Sequence, residues 1–504
     1  MIRLSVDNAS PMAPADGRER LSPGEAPLFA IGISLAAVAL AVRLVRLNHF
    51  SFWLDEILET YTTRMSWPTF WRSLRWEAFN APLDYSLRKV LESLRPTDAL
   101  RRVPSVIWGT LTVAALGWFL ARRGGRALGW TAAGLLALAP YHVRYSQEVR
   151  PYALGLLLLV ASLMALEAYL ERPRMMTLAG LYAACLAILY TLYLAAFLLV
   201  FVALSLLLED SWDGDPRRRA AARRFLAWSP ALVATLAAGY APWWPVLLRA
   251  LGSTPMTNAP PWSMSRLWRY VSYFGFAYRD GSVLHKADLV FLAVLVIGVA
   301  AAARTPRLRC LIVWGIGGVA LFELAERRHS TYDSIFHWLP AGLGLTALAA
   351  LGLSQVLRWR IGSVGRWAVG ALVVGLSVRG LVGYFHDGRP DWRPLARFLS
   401  ATPSSERIFV ENPYTQLCLG YYLVGPDWLC CKKPTQREVA NLDGDLSRLR
   451  TAWNRRTDAW LVLAAGPESL PLRSWSASFF SISFATAEGA GGAIVRRLPA
   501  GLPD

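Results

Sequence analysis

The feature that most limits what this chain can become is a series of apolar runs, each near the length a helix needs to cross a bilayer. They fall near residues 27–47, 104–121, 127–141, 151–170, 175–190, 192–208, 225–242, 288–303, 310–325, 335–354 and 367–384. A hydrocarbon core takes about 20 apolar helical residues, and the backbone inside it must satisfy its own hydrogen bonds. The sequence therefore predicts an all-α polytopic membrane protein with about eleven spans, with Pro140, Pro242 and Pro340 at ends or kinks. Composition agrees: 17% of residues are charged and 54% hydrophobic, and the mean hydropathy is +0.33, whereas soluble chains run nearer a quarter charged.

A net charge of +18 invites a nucleic-acid reading, but the distribution of the basic residues argues against such a partner. They cluster in alternate short connections: Arg122-Arg123-Gly124-Gly125-Arg126, Glu171-Arg172-Pro173-Arg174, Arg217-Arg218-Arg219 with Arg223-Arg224, Arg304 through Arg309, and Arg358 through Arg366. Short basic connections read as cytoplasmic, beside anionic lipid. Residues 1–26, rich in Pro, Gly and charge, read as a disordered cytoplasmic tail and not as a cleaved signal. The loops 48–103, 142–150 and 243–287, and everything after 385, then lie on the outer side.

Just past the first run stands Phe50-Ser51-Phe52-Trp53-Leu54-Asp55-Glu56, two adjacent acids after an aromatic cluster. Charges beside a span are costly to desolvate without a partner, so the pair reads as a candidate active site. A second reading has both acids complementing the positive end of a helix that starts near Ser51. In either case neighbours on a helix diverge by about a quarter-turn, so the two carboxylates do not serve the same atom.

The first outer loop, 48–103, reads as helices over 55–76 and 82–95 lying in the membrane interface, with Ile57, Leu58, Tyr61, Met65, Phe70, Trp71 and Leu74 set among charges. Loop 243–287 is also aromatic, with Trp243, Trp244, Trp262, Trp268, Tyr270, Tyr273, Phe274 and Tyr278, and an interfacial belt accounts for many of these. All six histidines, at 49, 142, 285, 329, 337 and 386, map to outer ends or loops, where they either tolerate the interface or line a polar cavity. No two have helical metal-ligand spacing, so a divalent metal stays open and unassigned.

After 385 the composition becomes less apolar. A helix is expected from Asp391 to Leu399, then strands such as Arg407-Ile408-Phe409-Val410 and Ala459-Trp460-Leu461-Val462-Leu463, making 385–504 a small α/β domain on the outer face. The membrane domain is 27–384. Among five cysteines, Cys185 and Cys310 read as small core residues; Cys418 pairing with Cys430 or Cys431 is open if the domain is extracytoplasmic.

Four stretches together resemble a family. They are Val42-Arg43-Leu44 through Ser51-Phe52-Trp53-Leu54-Asp55-Glu56; Asn80-Ala81-Pro82-Leu83 with Tyr85; Leu100-Arg101-Arg102-Val103-Pro104-Ser105; and Ala139-Pro140-Tyr141-His142-Val143-Arg144-Tyr145-Ser146-Gln147-Glu148-Val149-Arg150-Pro151-Tyr152. Their order and placement resemble the protein O-mannosyltransferase-like and aminoarabinose-transferase-like (family 39, PMT-related) glycosyltransferases, which share the GT-C membrane fold. Asp391-Trp392-Arg393 is similar to the opening of the outer domain in bacterial members. The likeness covers roughly the first 200 residues well and the remainder loosely.

The resemblance implies an inverting glycosyltransferase of the bacterial inner membrane, taking a hexose or pentose from a polyprenyl-phosphate donor to a protein, lipid or glycan acceptor. A polyprenyl phosphate leaves without strong acid assistance, so the enzyme chiefly needs one carboxylate to take the acceptor proton and cations to hold the phosphate. Asp55 stands at the family's acid position as general base, with Glu56 in acceptor binding or local hydrogen bonding. Arg144 and Arg150 are candidate phosphate ligands or helix-end anchors, with Arg102, and behind it Arg43 and Arg46, as further candidates. Glu148 is a second functional acid or an arginine's partner, and Asn80 and Tyr145 are supporting or acceptor residues.

Two departures stand out. The family often has Asn-His-Pro-Pro-Leu where this chain has Asn80-Ala81-Pro82-Leu83-Asp84, so a histidine is lost and an acid appears. Asp333-Ser334 replaces an Arg-Tyr pair common before the proline at 340, and Arg327, Arg328 or Tyr332 are candidate substitutes. A transporter would also fit many spans with polar residues, but it predicts internal repeats, and no convincing one is present. A scaffold or sensor would use the outer domain for binding and tolerate loss of Asp55.

Overall fold

The computed structural model describes residues 26–76, 81–213, 215–252, 263–276, 278, 285–329, 335–359, 362–386, 391–403, 406–426, 439–442, 448–449, 458–464, 481–484 and 493–498. Each of the eleven apolar runs is helical. The first forms α1 (Ala26–Leu44). The outer loop forms α2 (Leu54–Arg64), α3 (Trp67–Trp76) and α4 (Pro82–Glu92). Then come α5 (Asp98–Gly124), α6 (Arg126–Leu138), the short α7 (Pro140–Tyr145), α8 (Tyr152–Glu171), α9 (Met175–Leu189), α10 (Tyr193–Asp213) and α11 (Pro216–Tyr240). The second half holds α12 (Trp244–Gly252), α13 (Met264–Phe274), α14 (Lys286–Arg304), α15 (Cys310–Ile312), a π-helical turn at Val313–Gly317, α16 (Gly318–His329), α17 (Leu339–Val356) and α18 (Gly362–His386).

Eight helical segments among the described residues are long and apolar enough to cross a membrane. The other three runs fall on α1, α6 and α9, the last two only 13 and 15 residues long. The chain is an integral membrane protein. At its centre is α17, buried from Leu339 to Ser354. Glycine lets α14 lie directly on it: a Cβ at Gly298 would stand 1.9 Å from the Leu348 carbonyl oxygen, and one at Gly352 1.9 Å from that of Val294. Without a hydrophobic force between helices in lipid, such backbone approach supplies the packing.

The basic connections gather at one end of the bundle. There Arg123 of α5 reaches Glu167 of α8 at 2.8 Å and donates to the Arg307 carbonyl at 2.8 Å, while Arg218 of α11 bridges Glu167 at 3.0 Å and Asp210 at 2.8 Å. The N-terminus of α5, 27 residues away along the helix and so about 40 Å distant, lies at the opposite end with α2–α4, α7 and the C-terminal unit.

The C-terminal unit opens with α19 (Trp392–Ser400), whose N-cap Asp391 accepts from the Arg393 amide, as the sequence suggests. Then come β1 (Arg407–Val410), α20 (Pro413–Leu423), β2 (Val439–Asn441), β3 (Ala459–Ala464), β4 (Ser481–Phe484) and β5 (Ala493–Leu498). The sheet order is β2-β1-β3-β5-β4. Its first three strands are parallel, Ile408 pairing with Val439 on one side and Trp460 on the other, while β5 runs antiparallel to β3 and β4.

The outer-loop helices differ from the expected interfacial ones. Ile57 and Tyr61 of α2 are buried in one cluster with Phe52, Val149, Trp392, Leu395 and Val410, so the apolar face of α2 lies under the C-terminal unit. Phe70 and Leu74 of α3 are buried with Tyr85, Tyr240 and Trp243, although Trp67, Trp71 and Trp76 stay exposed. An amphipathic period specifies a covered face, and lipid and protein cover it equally well. Cys185 and Cys310 lie inside the bundle as expected; Cys418 is a buried free thiol on α20, and Cys430 and Cys431 lie outside the described residues.

Candidate active site

Trp53, extended at φ −92°, caps α2, and the next turn divides the acid pair. Glu56 turns inward and is fully buried. Its carboxylate accepts from the Trp53 amide at 3.3 Å, from the Val149 amide at 2.9 Å, and from Arg102 Nε and Nη2 at 3.0 and 2.9 Å. It thereby ties the start of α2 to α5 and to the segment after α7. Of the two roles expected for it, local hydrogen bonding is the one this geometry serves; a direct catalytic role is not, because its oxygens are saturated and closed to solvent.

Arg102, expected as a candidate phosphate ligand, is engaged in the same frame. Besides Glu56, its Nη1 donates to the carbonyls of Leu47 and Phe50, both at 2.9 Å, and its Nη2 to Ser51 at 3.4 Å. A guanidinium has five N–H groups, and all five are used. Arg43 is likewise spent on Ser146, His142 and the carbonyls of Ala39, Leu136 and Ala137. Burial, with Arg43 beside it, holds the His142 imidazole well below the usual histidine range, so it stays neutral and accepts through Nδ1. Arg46 is exposed and donates to the Phe385 carbonyl at 3.1 Å.

Asp55 faces the other way. Its side chain is 25% exposed, and its Oδ2 lies 3.7 Å from Arg150 Nη2. Arg150, 13% exposed, also donates from Nη1 to the Tyr85 hydroxyl at 3.1 Å and to Glu59 Oε2 at 3.4 Å, and it lies over the Tyr152 ring. Burial works against its charge, but surrounding groups, Tyr152, Tyr85 and Asp55 foremost, outweigh burial, so it is held firmly as a cation. Its Nε is buried with no hydrogen-bond partner among the described residues.

The second candidate arginine is linked to the first through stacked rings. Arg144 lies over Tyr145, Tyr145 meets Tyr152 edge to face, and Tyr152 carries Arg150. Arg144 donates to the Tyr278 hydroxyl at 2.8 Å and to Glu148 Oε1 at 3.4 Å, with 32% of its side chain exposed. The Glu148 side chain is buried, so as an arginine's partner it fits one of the two readings made of it. Tyr145 shares a hydrogen bond with Tyr273 at 2.9 Å and is buried. Asn80, Tyr332, Asp333 and Ser334 lie outside the described residues, as do the side chains of Arg327 and Arg328.

Three residues around Asp55 were not singled out for the site from the sequence. Glu59, one turn along α2, and Asp84, on α4, are fully buried, and Arg88 lies between them, 3.0 Å from Glu59 and 2.6 Å from Asp84. The i,i+4 spacings Asp55/Glu59 and Asp84/Arg88 were visible signals. Asp84 is the acid that departs from the family pattern. Among the described residues no three His, Cys, Asp or Glu side chains converge as a metal site would need, and the carboxylates nearest Asp55 face guanidiniums.

The C-terminal unit holds the segment leading into α2. The Phe52 amide donates to Tyr422 at 2.6 Å, the Trp392 amide to Ser51 at 3.2 Å, and Arg393 to the carbonyls of Asn48, at 2.8 Å, and His49. Tyr422 in turn donates to Asp98 at 3.0 Å, at the first residue of α5.

No family model matches the chain, and no curated protein matches its sequence. Its fold has known counterparts. ArnT from Cupriavidus metallidurans bound to undecaprenyl phosphate matches with a TM-score of 0.56 at 14% identity, covering 94% of this chain and 99% of ArnT. The apo form of that ArnT matches with the same TM-score at 13% identity, over 94% and 98%. An apo oligosaccharyltransferase from Archaeoglobus fulgidus reaches 0.49 at 11% identity, over 79% of this chain and 64% of its own. The near-complete two-way coverage by ArnT makes this chain a membrane protein of the GT-C fold built on the ArnT plan.

Proposed function

We propose that the protein is an inverting glycosyltransferase that moves a sugar from a polyprenyl-phosphate donor to the hydroxyl of a protein, lipid or glycan acceptor. The observation that carries this reading is Asp55, an open carboxylate 3.7 Å from Arg150 on an otherwise buried frame. An acid to accept a proton and a cation to receive a phosphate stand side by side, as the transfer requires. The ArnT fold, known with undecaprenyl phosphate bound, supports the donor class.

In the transfer, the acceptor oxygen attacks the anomeric carbon as Asp55 takes its proton. The bond from that carbon to the phosphate oxygen breaks, and polyprenyl phosphate departs with the electron pair. Arg150, with Arg144 further along the tyrosine row, stabilises the charge that grows on the phosphate, where buried donors act most strongly. Tyr85, Tyr145, Tyr152, Tyr273 and Tyr278 fix the two guanidiniums without neutralising them. The basic connections at the far end of the bundle support a site that faces away from the cytoplasm of a bacterial plasma membrane.

The test is transfer by purified full-length protein from a labelled polyprenyl-phosphate sugar to envelope acceptor fractions, with Asp55→Asn beside the wild type. General-base loss lowers turnover ~10²–10⁴-fold. Full transfer by Asp55→Asn would remove Asp55 as base, and no transfer by the wild type to any acceptor pool would favour a transporter or scaffold.

A further inference from the structure

Beneath Asp55 the hydrogen atoms do not match the oxygens. Arg88 Nε carries one hydrogen, which goes to Asp84 Oδ2 at 2.6 Å. Glu59 Oε1 lies 3.0 Å from that same nitrogen but receives no hydrogen bond from any described residue. Of the four other Arg88 hydrogens, both on Nη2 go to the Ser105 hydroxyl and the Arg150 carbonyl, and one on Nη1 goes to the Arg101 carbonyl. Asp84 Oδ1 is also buried without a donor among the described residues. Both side chains are fully buried, and Glu59 is within hydrogen-bonding reach of Asp84. A buried acceptor without a donor is costly, and two carboxylates sharing a site cannot both ionise freely.

We infer that Glu59 carries a proton that it donates to Asp84, so that Arg150 keeps its charge for Asp55 and the donor phosphate. The surroundings count the same way. The carboxylates here are Asp55, Glu59 and Asp84, and the guanidiniums are Arg88 and Arg150. One retained proton leaves two of each sign. Around them, Glu56 of α2 is taken by Arg102, Arg101 of α5 by Glu92, and Glu148 by Arg144, while α20 directs Tyr421 to Asp98. Tyr85 and Tyr152 contact Arg150 itself. Burial, reinforced by Asp84, pushes the Glu59 carboxyl well above its ordinary value against the pull of Arg88 and Arg150. Glu59 is thus a positioning residue: ionised, it would compete at 3.4 Å for the arginine that the phosphate needs.

This inference rests on the donor-binding role proposed for Arg150, and the test separates the two. Infrared spectra of purified full-length protein near neutral pH should show a buried protonated carboxyl that Glu59→Gln removes; absence of that band from the wild type overturns the inference. In transfer assays, the wild-type KM for donor should rise about tenfold or more on the alkaline side, with kcat less affected, whereas Glu59→Gln, which still donates to Asp84, should keep a flat KM. A Glu59→Gln KM raised at every pH, with the alkaline limb intact, would mean that Glu59 works as an anion and overturns the inference. If the wild type transfers nothing, the glycosyltransferase reading fails, and the infrared band still decides the proton.

Discussion

Glu56 and Arg102 form a two-pronged pair, Nε to Oε1 at 3.0 Å and Nη2 to Oε2 at 2.9 Å, sealed between α2 and α5. The neighbouring acid, Asp55, is left open because this pair fixes the rotation of α2. Stability and chemistry are therefore separable within two adjacent residues.

Breaking that pair should unfold the protein more than it alters the reaction. Arg102→Ala strands a buried carboxylate and should cost about 3–5 kcal/mol. Denaturant unfolding in detergent measures it; a loss of activity with unchanged stability would return Arg102 to the donor site.

Arg150→Ala should weaken donor binding about tenfold to a hundredfold, the worth of a charge-assisted hydrogen bond. Arg150→Lys should not restore it, since the guanidinium reaches Asp55 from Nη2 while serving both Glu59 and Tyr85 from Nη1, a fork that a single ammonium does not reproduce. Donor titration decides; unchanged affinity in Arg150→Ala removes the residue from the site.

The Glu59 proton should appear in the pH dependence of stability. The folded state holds it above the ordinary value of 4.5, where the unfolded chain releases it. Stability from this group is therefore complete below 4.5 and falls as pH rises through the higher folded value. Thermal unfolding of the wild type and Glu59→Gln from about pH 5 to about pH 9 should show a difference that grows with pH in favour of the variant. A constant difference would contradict it.

Gly298→Ala should destabilise the bundle by about 1–3 kcal/mol, since its methyl would meet the Leu348 carbonyl oxygen and force α14 off α17. Gly180→Ala on α9, where a Cβ meets nothing within 4 Å, is the control. Equal stability of the two variants would show that the α14–α17 approach carries no load.

Much of this was legible in the residues. The eleven apolar runs became helices because spanning a bilayer leaves the backbone few alternatives. The separation of Asp55 from Glu56 follows from adjacent positions on a helix. The arginines were less legible: Arg102 and Arg150 both follow outer loops, and only the seating of the first turn of α5 beneath α2 gives one to Glu56 and leaves the other beside Asp55. The apolar stripe of α2 was read as lipid-facing, because periodicity names a buried face without naming its cover. Glu59 and Asp84 lie on different helices, and their meeting depends on how α4 folds back.

The brace on residues 48–52 has a consequence for biosynthesis. Ser51 and Phe52 are held by Trp392 and Tyr422, partners 341 and 370 positions later. A ribosome that has made all eleven apolar helices has therefore not yet made the groups that set the entry to α2. The entry to α2 thus gains its last hydrogen bonds only after residues 392 and 422 have been made.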